Sequence, residues 1–262
     1  DKIMSMFVEL TAQTHAQTAV IKNAPLRFAV RLHMLNIQVT EISKLIGDLP
    51  VFFSRHQTSG QWLISALCSF TPGQNLFVQK EQWLASYQPV SMQTYPLSLS
   101  QAKPTKLAIT MDKDVICPAT EANAHALYTV DGQASVFLRQ QVTMLETGLQ
   151  HEYLSYQFIK TITELGLIKE LDLHLLQQDG RSQIIKGLAT VDEDKLQTLT
   201  AEQVYQLQQQ GYLLILHAML LSITQLNKLI QLHNQRYSGA DSQDQQLGLL
   251  KSVRLELNRS QH

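Results

Sequence analysis

The chain runs to 262 residues, of which 44% are hydrophobic and only 16% charged, with a formal net charge of -1. That length can bury a sizeable core in one large domain or two small intimate ones. The charged fraction lies well below the ~25% of ordinary soluble domains, and the near-zero balance gives no basic footprint for non-specific nucleic-acid binding. With few charges to keep copies apart, the composition favours a homo-oligomer or a stable partner.

Cys68 and Cys117 are too few for a disulfide framework. Cys68 follows an apolar run from Trp62 and reads as a small buried residue, whereas Cys117 precedes Pro118 in a predicted loop. The first residues, Asp1 to Met6, show no basic region followed by a long apolar core. The most apolar segment, Tyr212 to Leu221, is about ten residues against the ~20 that span a bilayer. A cytoplasmic protein without a transmembrane span is expected.

Residues 1–20 carry no clear period and read as a lead-in segment. Pro25 to Leu32 alternates apolar and polar at several positions and predicts a strand. Thr40 to Gly47 has an N-cap residue, apolar spacing at i, i+3 and i+4 and a closing glycine, which predicts a short helix. Pro50 to Ser54 and Gln61 to Leu67 flank Thr58-Ser59-Gly60 and predict a hairpin. Beyond the Pro72-Gly73-Gln74 turn, strands are predicted over Asn75 to Val78, Ser91 to Leu99 and Lys106 to Met111. Residues 21–112 therefore read as antiparallel β structure.

From Ser135 to Leu171 apolar residues recur at helical spacing, with Gly148 and Gly166 placed to bend, end or closely pack the run. Leu171 to Gln177 and Gln183 to Leu188 predict a hairpin turning at Asp179-Gly180. Thr190 to Leu199 and Thr200 to Gln209 predict two short helices, the second opened by Thr200 and Gln203 at capping-box spacing. A last helix runs from Gly211 to Tyr237, apolar around so much of its circumference that burial almost all round is expected. The tail, residues 237–262, regains leucines at a spacing that fits a strand or a short helix.

One stretch gathers two tyrosines, a tryptophan and two prolines: Asn75-Leu76-Phe77-Val78, Gln82-Trp83, Tyr87-Gln88-Pro89 and Tyr95-Pro96. The long amphipathic helix follows, then the segment Gly187 to Leu196 (GLATVDEDKL), then the final apolar helix. In this order the segments resemble the SapC family of bacterial proteins, over roughly residues 20–236. The resemblance implies one α+β domain over residues 21–236 and a role connected with surface-protein export or with handling peptides and outer-membrane systems. Genes of that family commonly neighbour those of TonB-dependent receptors, tryptophan-halogenase-like proteins and cupin-like proteins. That association gives no residue here a chemical role.

Nine histidines invite a metal search, but none pairs at i, i+4 around a glutamate as a zincin helix requires, and two distant cysteines supply no zinc spacing. No Gly-x-Gly-x-x-Gly, Walker loop or Gly-x-Ser-x-Gly elbow occurs. No metal, nucleotide or other cofactor is expected. Glu146, Glu152, Glu164 and Glu170 read as the solvated face of the long helix, and Asp192 and Asp194 as the charged start of a short one.

Trp83, Tyr87 and Tyr95 are the first candidates for recognition, because large aromatics with polar ends suit contacts that are apolar on one side. The competing reading makes them plugs at the edge of a small β layer. His151 lies midway along the long helix near Tyr153 and Tyr156. His217 sits among aliphatics and reads either as a hydrogen-bonded core residue or as a pocket group whose burial lowers its pKa. Ser222, five residues on, does not share its helix face.

The expected fold is α+β, with an antiparallel β-rich N-terminal portion (21–112) packed against long amphipathic helices and a small hairpin in a mainly helical C-terminal portion (135–236). The preferred function is a non-catalytic binding or accessory protein of a bacterial surface-protein export or peptide-handling system, with a protein or peptide partner. The alternative is an enzyme or enzyme subunit modifying peptides or small molecules in a pocket between the β layer and the terminal helix. The absence of an acid–base, nucleophile or metal motif favours the first.

Overall fold

The computed structural model describes residues 7–100, 106–177, 182–238 and 246–249. The chain first forms β1 (Phe7–Glu9), α1 (Ala12–His15), β2 (Thr18–Ile21), α2 (Ala24–Ala29) and β3 (Met34–Ile37). A 3-10 turn (Val39–Glu41), α3 (Ile42–Leu45), β4 (Val51–Arg55) and β5 (Trp62–Leu67) follow. Next come β6 (Val78–Gln79), β7 (Gln82–Trp83), α4 (Val90–Gln93), β8 (Leu97–Leu99), β9 (Leu107–Thr110), β10 (Ile116–Pro118) and β11 (Ala124–Ala126). The second half holds α5 (Val136–Glu164), β12 (Ile168–Leu176), β13 (Ser182–Val191), α6 (Glu193–Gln197) and α7 (Ala201–Gln209). It closes with α8 (Tyr212–Ser222), a 3-10 turn (Ile223–Gln225) and α9 (Leu226–Arg236).

Among the described residues the main sheet has five strands in the order β12-β13-β4-β5-β3, every neighbouring pair antiparallel. The predicted hairpin of β4 and β5 is present, with Phe53 opposite Ile64. The later hairpin, β12 with β13, joins it edge-on, placing Leu188 and Ala189 opposite Ser54 and Phe53. The two portions of the chain thus share one sheet rather than merely packing together. Two three-stranded sheets, β1-β9-β8 and β10-β2-β11, and the β6-β7 ribbon complete the strands. The expected turn at Asp179-Gly180 lies outside the described residues.

Three local expectations are corrected. The lead-in contains ordered strands, and β2 is the central strand of its sheet. Pro25 to Leu32 is helical rather than extended, because Pro25 occupies the first turn, where a missing N–H breaks no bond. Ala24 and Ala29 are buried while Leu26 and Phe28 pack on the core. Ser91 to Leu99 divides into α4 and β8 around a cis Tyr95–Pro96 peptide.

The long helix α5 begins where Ser135 Oγ accepts the Leu138 N–H. It stops at Gly166, whose φ of +67° suits glycine, so Ile168 to Leu171 open β12 instead of extending the helix. Phe158 carries α5 into the core, 6.4 Å from Phe53 and 5.1 Å from Tyr212 between ring centres. Asp192 caps α6 and Thr200 with Gln203 forms the predicted capping box of α7. Gly211, at φ +73°, turns the chain from α7 into α8.

From Tyr212 to Arg236 the helical run is continuous over 25 residues, longer than the ten or so apolar residues read from the sequence. By length and composition it could cross a membrane, yet 44% of its most apolar window is buried inside the fold. Leu216, Met219, Ile223, Leu226, Leu229 and Ile230 enter the core, and Ser222 Oγ accepts the Val51 N–H at 2.9 Å. The helix is not buried all round, however, because Leu214 and Leu221 are 73% and 66% exposed. The tail returns at Leu247, which is buried and exchanges two 2.8 Å bonds with the Asn234 amide.

Candidate functional site

A groove of about 2100 Å³ opens between α5 and the sheets. Asn36 and Ile37 of β3 and Trp62 to Ile64 of β5 line one part of it. Residues of α2 and the β8–β9 pair line another, and α5 borders it from Leu145 to Glu164. At 1.5 Å per helical residue this border is about 28 Å long. Four large apolar side chains in the groove, Val30, Met111, Leu149 and Tyr156, are exposed. Arg27, Arg31 and Lys80 also line it and form no ion pair among the described residues.

Tyr95 lies in this groove, stacked 4.8 Å from Phe28, with its hydroxyl donating to Asp112 Oδ2 at 2.5 Å. Burial, and then the Asp112 carboxylate, push the Tyr95 phenol well above its ordinary range, so it stays protonated as a donor. Glu152 projects from α5 into the same groove, whose walls desolvate the carboxyl and raise its pKa. Lys80 and Glu81, which form the tip of the β6–β7 ribbon at the rim, have φ of 48° and 57°.

A second pocket, of about 630 Å³, lies between the 3-10 turn at Val39–Glu41, the segment Tyr87 to Val90 and the N-terminal half of α5. It shares Gln38, Glu41, Val90 and Gly148 with the groove. Glu41 is only 2% exposed. Its Oε1 accepts the Val90 N–H at 2.7 Å and the Tyr87 hydroxyl at 3.1 Å, and its Oε2 accepts the Gln38 N–H at 2.8 Å. Burial and then the Glu41 charge hold the Tyr87 phenol far above its usual pKa. Lys44 Nζ sits 4.8 Å above the Tyr87 ring. Gln38 Nε2 donates to the Gly148 carbonyl at 2.9 Å, while Gln38 Oε1 and Gln141 Oε1 are buried without a hydrogen-bond donor.

The five residues singled out in the sequence are therefore dispersed. Tyr95 lines the groove, and Tyr87 and His151 line the adjoining pocket. Trp83 lines neither: its indole N–H donates to the Tyr87 carbonyl at 2.8 Å and its ring lies 5.8 Å from Phe77. His217 is exposed on α8, away from both cavities, and its Nδ1–H donates to the Leu213 carbonyl at 2.7 Å. It is neither a core residue nor a pocket group. The groove is bordered by α5, not by the terminal helix on which the enzyme reading placed it.

Gln38, Glu41, Gln141, Arg27 and Arg31 are missing from the sequence reading. Gln141 carried a visible signal, since it shares the buried face of α5 with Leu138 and Gly148 and so interrupts an apolar stripe. Glu41 had none beyond its capping-box spacing. Among the described residues no group of three or more His, Cys, Asp or Glu could hold a metal ion. The Ser59–His56 contact, 3.1 Å, sits in an exposed hairpin turn and lines neither cavity. The arrangement offers hydrogen-bonding and apolar surface along a groove.

A model of the SapC family matches residues 10–229. The chain belongs to the SapC family. All residues lining the two cavities fall inside the SapC match, as do all five strands of the main sheet. No curated protein and no solved structure matches the chain.

Proposed function

We propose that this SapC chain is a binding protein of a bacterial peptide-handling or surface-protein export system, and that its groove holds an extended peptide segment. The observation that carries the reading is that one groove is lined by the exposed apolar side chains Val30, Met111, Leu149 and Tyr156 together with a few polar groups, the lining expected of a binding site. Its border of about 28 Å accommodates about eight extended residues at ~3.4 Å each. Polar groups interleave with the apolar ones: Asn36, Gln61, Ser91, Thr94, Ser98 and Ser155 all line it. Such a mixture suits a peptide backbone, whose amides need partners when side chains are buried, better than it suits a bare acyl chain.

The test is a fluorescence-anisotropy titration of the full chain with a labelled pool of end-blocked, lysine-free octapeptides of mixed sequence. Saturable binding is expected, weakened at least tenfold by Leu149→Glu and by Tyr156→Glu while both variants melt as the parent does. Absence of saturable binding, or indifference to both substitutions, overturns the reading.

A further inference from the structure

We infer that the pocket adjoining the groove binds a primary ammonium group, carried by the amino end or a lysine side chain of the segment the groove holds. The inference rests on the groove reading and names what anchors that segment.

Among the polar side chains that line the pocket, Gln38, Glu41 and Gln141 carry the buried oxygens that bear on its ligand. Glu41 is 2% exposed and has no Lys, Arg or His within ion-pair distance among the described residues. A carboxylate offers about four acceptor positions, and the bonds from Val90, Tyr87 and Gln38 occupy three. Gln141 is 7% exposed and its Oε1 has no donor. Gln38 Oε1 has none either, although its Nε2 is held by the Gly148 carbonyl. Buried acceptors without donors are costly and rare, and a buried carboxylate without a cation is costlier.

The chemistry that relieves all three is a group with one positive charge, three donors and no acceptor, which is an ammonium. A carboxylate or phosphate would be repelled by the Glu41 charge and would leave the Gln38 and Gln141 oxygens without donors. Gln38 and Gln141 both line the pocket, and rotation about the broad terminal torsion of Gln141 presents its oxygen to a bound group. The volume of about 630 Å³ lies within the range of small-ligand pockets. Gln38, Glu41, Val90 and Gly148 border both cavities, so one chain can occupy the groove and place its amine beyond them. Lys44 and Arg139 line the pocket but are exposed, and Lys44 stands over the Tyr87 ring. They disfavour a polycation more than a single ammonium.

Calorimetric titration of the full chain tests this with three probes: Ala-Leu-Ala with a free amino end, its N-acetyl counterpart, and N-acetyl-lysine amide. One site per chain is expected for the first or third probe, with acetyl-Ala-Leu-Ala at least tenfold weaker. Preference between the first and third identifies the amino end or the lysine side chain as the source. Gln141→Leu should weaken the amine probe at least tenfold, and Gln141→Glu, which keeps the shape and adds charge, should tighten it. Equal affinity with and without the free amine, no binding of either amine probe, or a Gln141→Glu variant no tighter than the parent overturns the inference and leaves Gln141 with a structural role. The two readings fail separately. End-blocked octapeptides that bind while amines do not leave the groove reading intact, and small amines that bind while octapeptides do not leave only the ammonium site.

Discussion

Trp83 is fixed by its own neighbours, with the indole N–H on the Tyr87 carbonyl and the ring against Phe77. Truncation to alanine removes both, so Trp83→Ala should lower stability by about 3 kcal/mol in urea titration. Peptide binding per folded molecule should be unchanged, because Trp83 lines neither cavity. Asp48 makes a second residue-scale test. Burial pushes its carboxyl up, but bonds from Lys228, at 2.5 Å, and from the Ser86 hydroxyl and N–H outweigh this and leave the pKa lowered. A carboxyl whose folded pKa lies below its unfolded value stabilises the fold above the unfolded value, ~3.9. That contribution is lost as pH falls through the folded value. Asp48→Asn should cost about 2 kcal/mol at pH 7 and flatten the decline in stability below ~pH 4, read from melting temperatures across a pH series.

The β6–β7 ribbon turns on two non-glycine residues in left-handed conformation, Lys80 and Glu81. Two-residue hairpin turns of this hand favour Asn-Gly because a side chain costs ~1 kcal/mol or more there. Among the described residues Glu81 accepts only a long 3.4 Å bond, from Asn23. Glu81→Gly should therefore raise stability by about 1 kcal/mol, seen as a higher urea midpoint. An unchanged or lower midpoint would show that the Asn23 bond outweighs the backbone strain. The same scale explains the misread α2: with six helical residues it is too short to show a 3.6 period, and a chance alternation read as β. The longer α5 and the terminal helical run repeat their pattern over enough turns to be unmistakable.

At the scale of the whole molecule, α8 carries exposed apolar side chains among the described residues. Leu214 and Leu221 stand two turns apart on its solvent face, beside exposed His217. With only 16% charged residues to oppose association, self-association through this stripe is expected. Light scattering over a concentration series should show a dimer, and the double variant Leu214→Lys/Leu221→Lys should be monomeric with an unchanged melting temperature. A strictly monomeric parent chain would rule the stripe out as a self-association surface.

Periodic and local features were legible without coordinates: the β4–β5 hairpin, the start of α5 after Ser135 (though the helical spacing ran on to Leu171, past the helix end at Glu164), the capping box at Thr200 and Gln203, and the final helix from Gly211. Each is set by spacing, turn residues or caps that act over a few neighbouring positions. The family, too, was visible in the order of its segments. Only tertiary structure decided that β13 pairs with β4, so that two portions expected to pack against each other share one sheet, because strand pairing is chosen by contacts far apart in sequence. It also decided that Tyr95 faces a groove while Trp83 supports a loop, although both stand in the same aromatic stretch. The groups at the pocket illustrate the same limit. Gln38, Glu41 and Gln141 are spread over about 100 residues of ordinary polar sequence, and their chemistry arises only where α5 is laid against the 3-10 turn and the surrounding protein removes water from their oxygens.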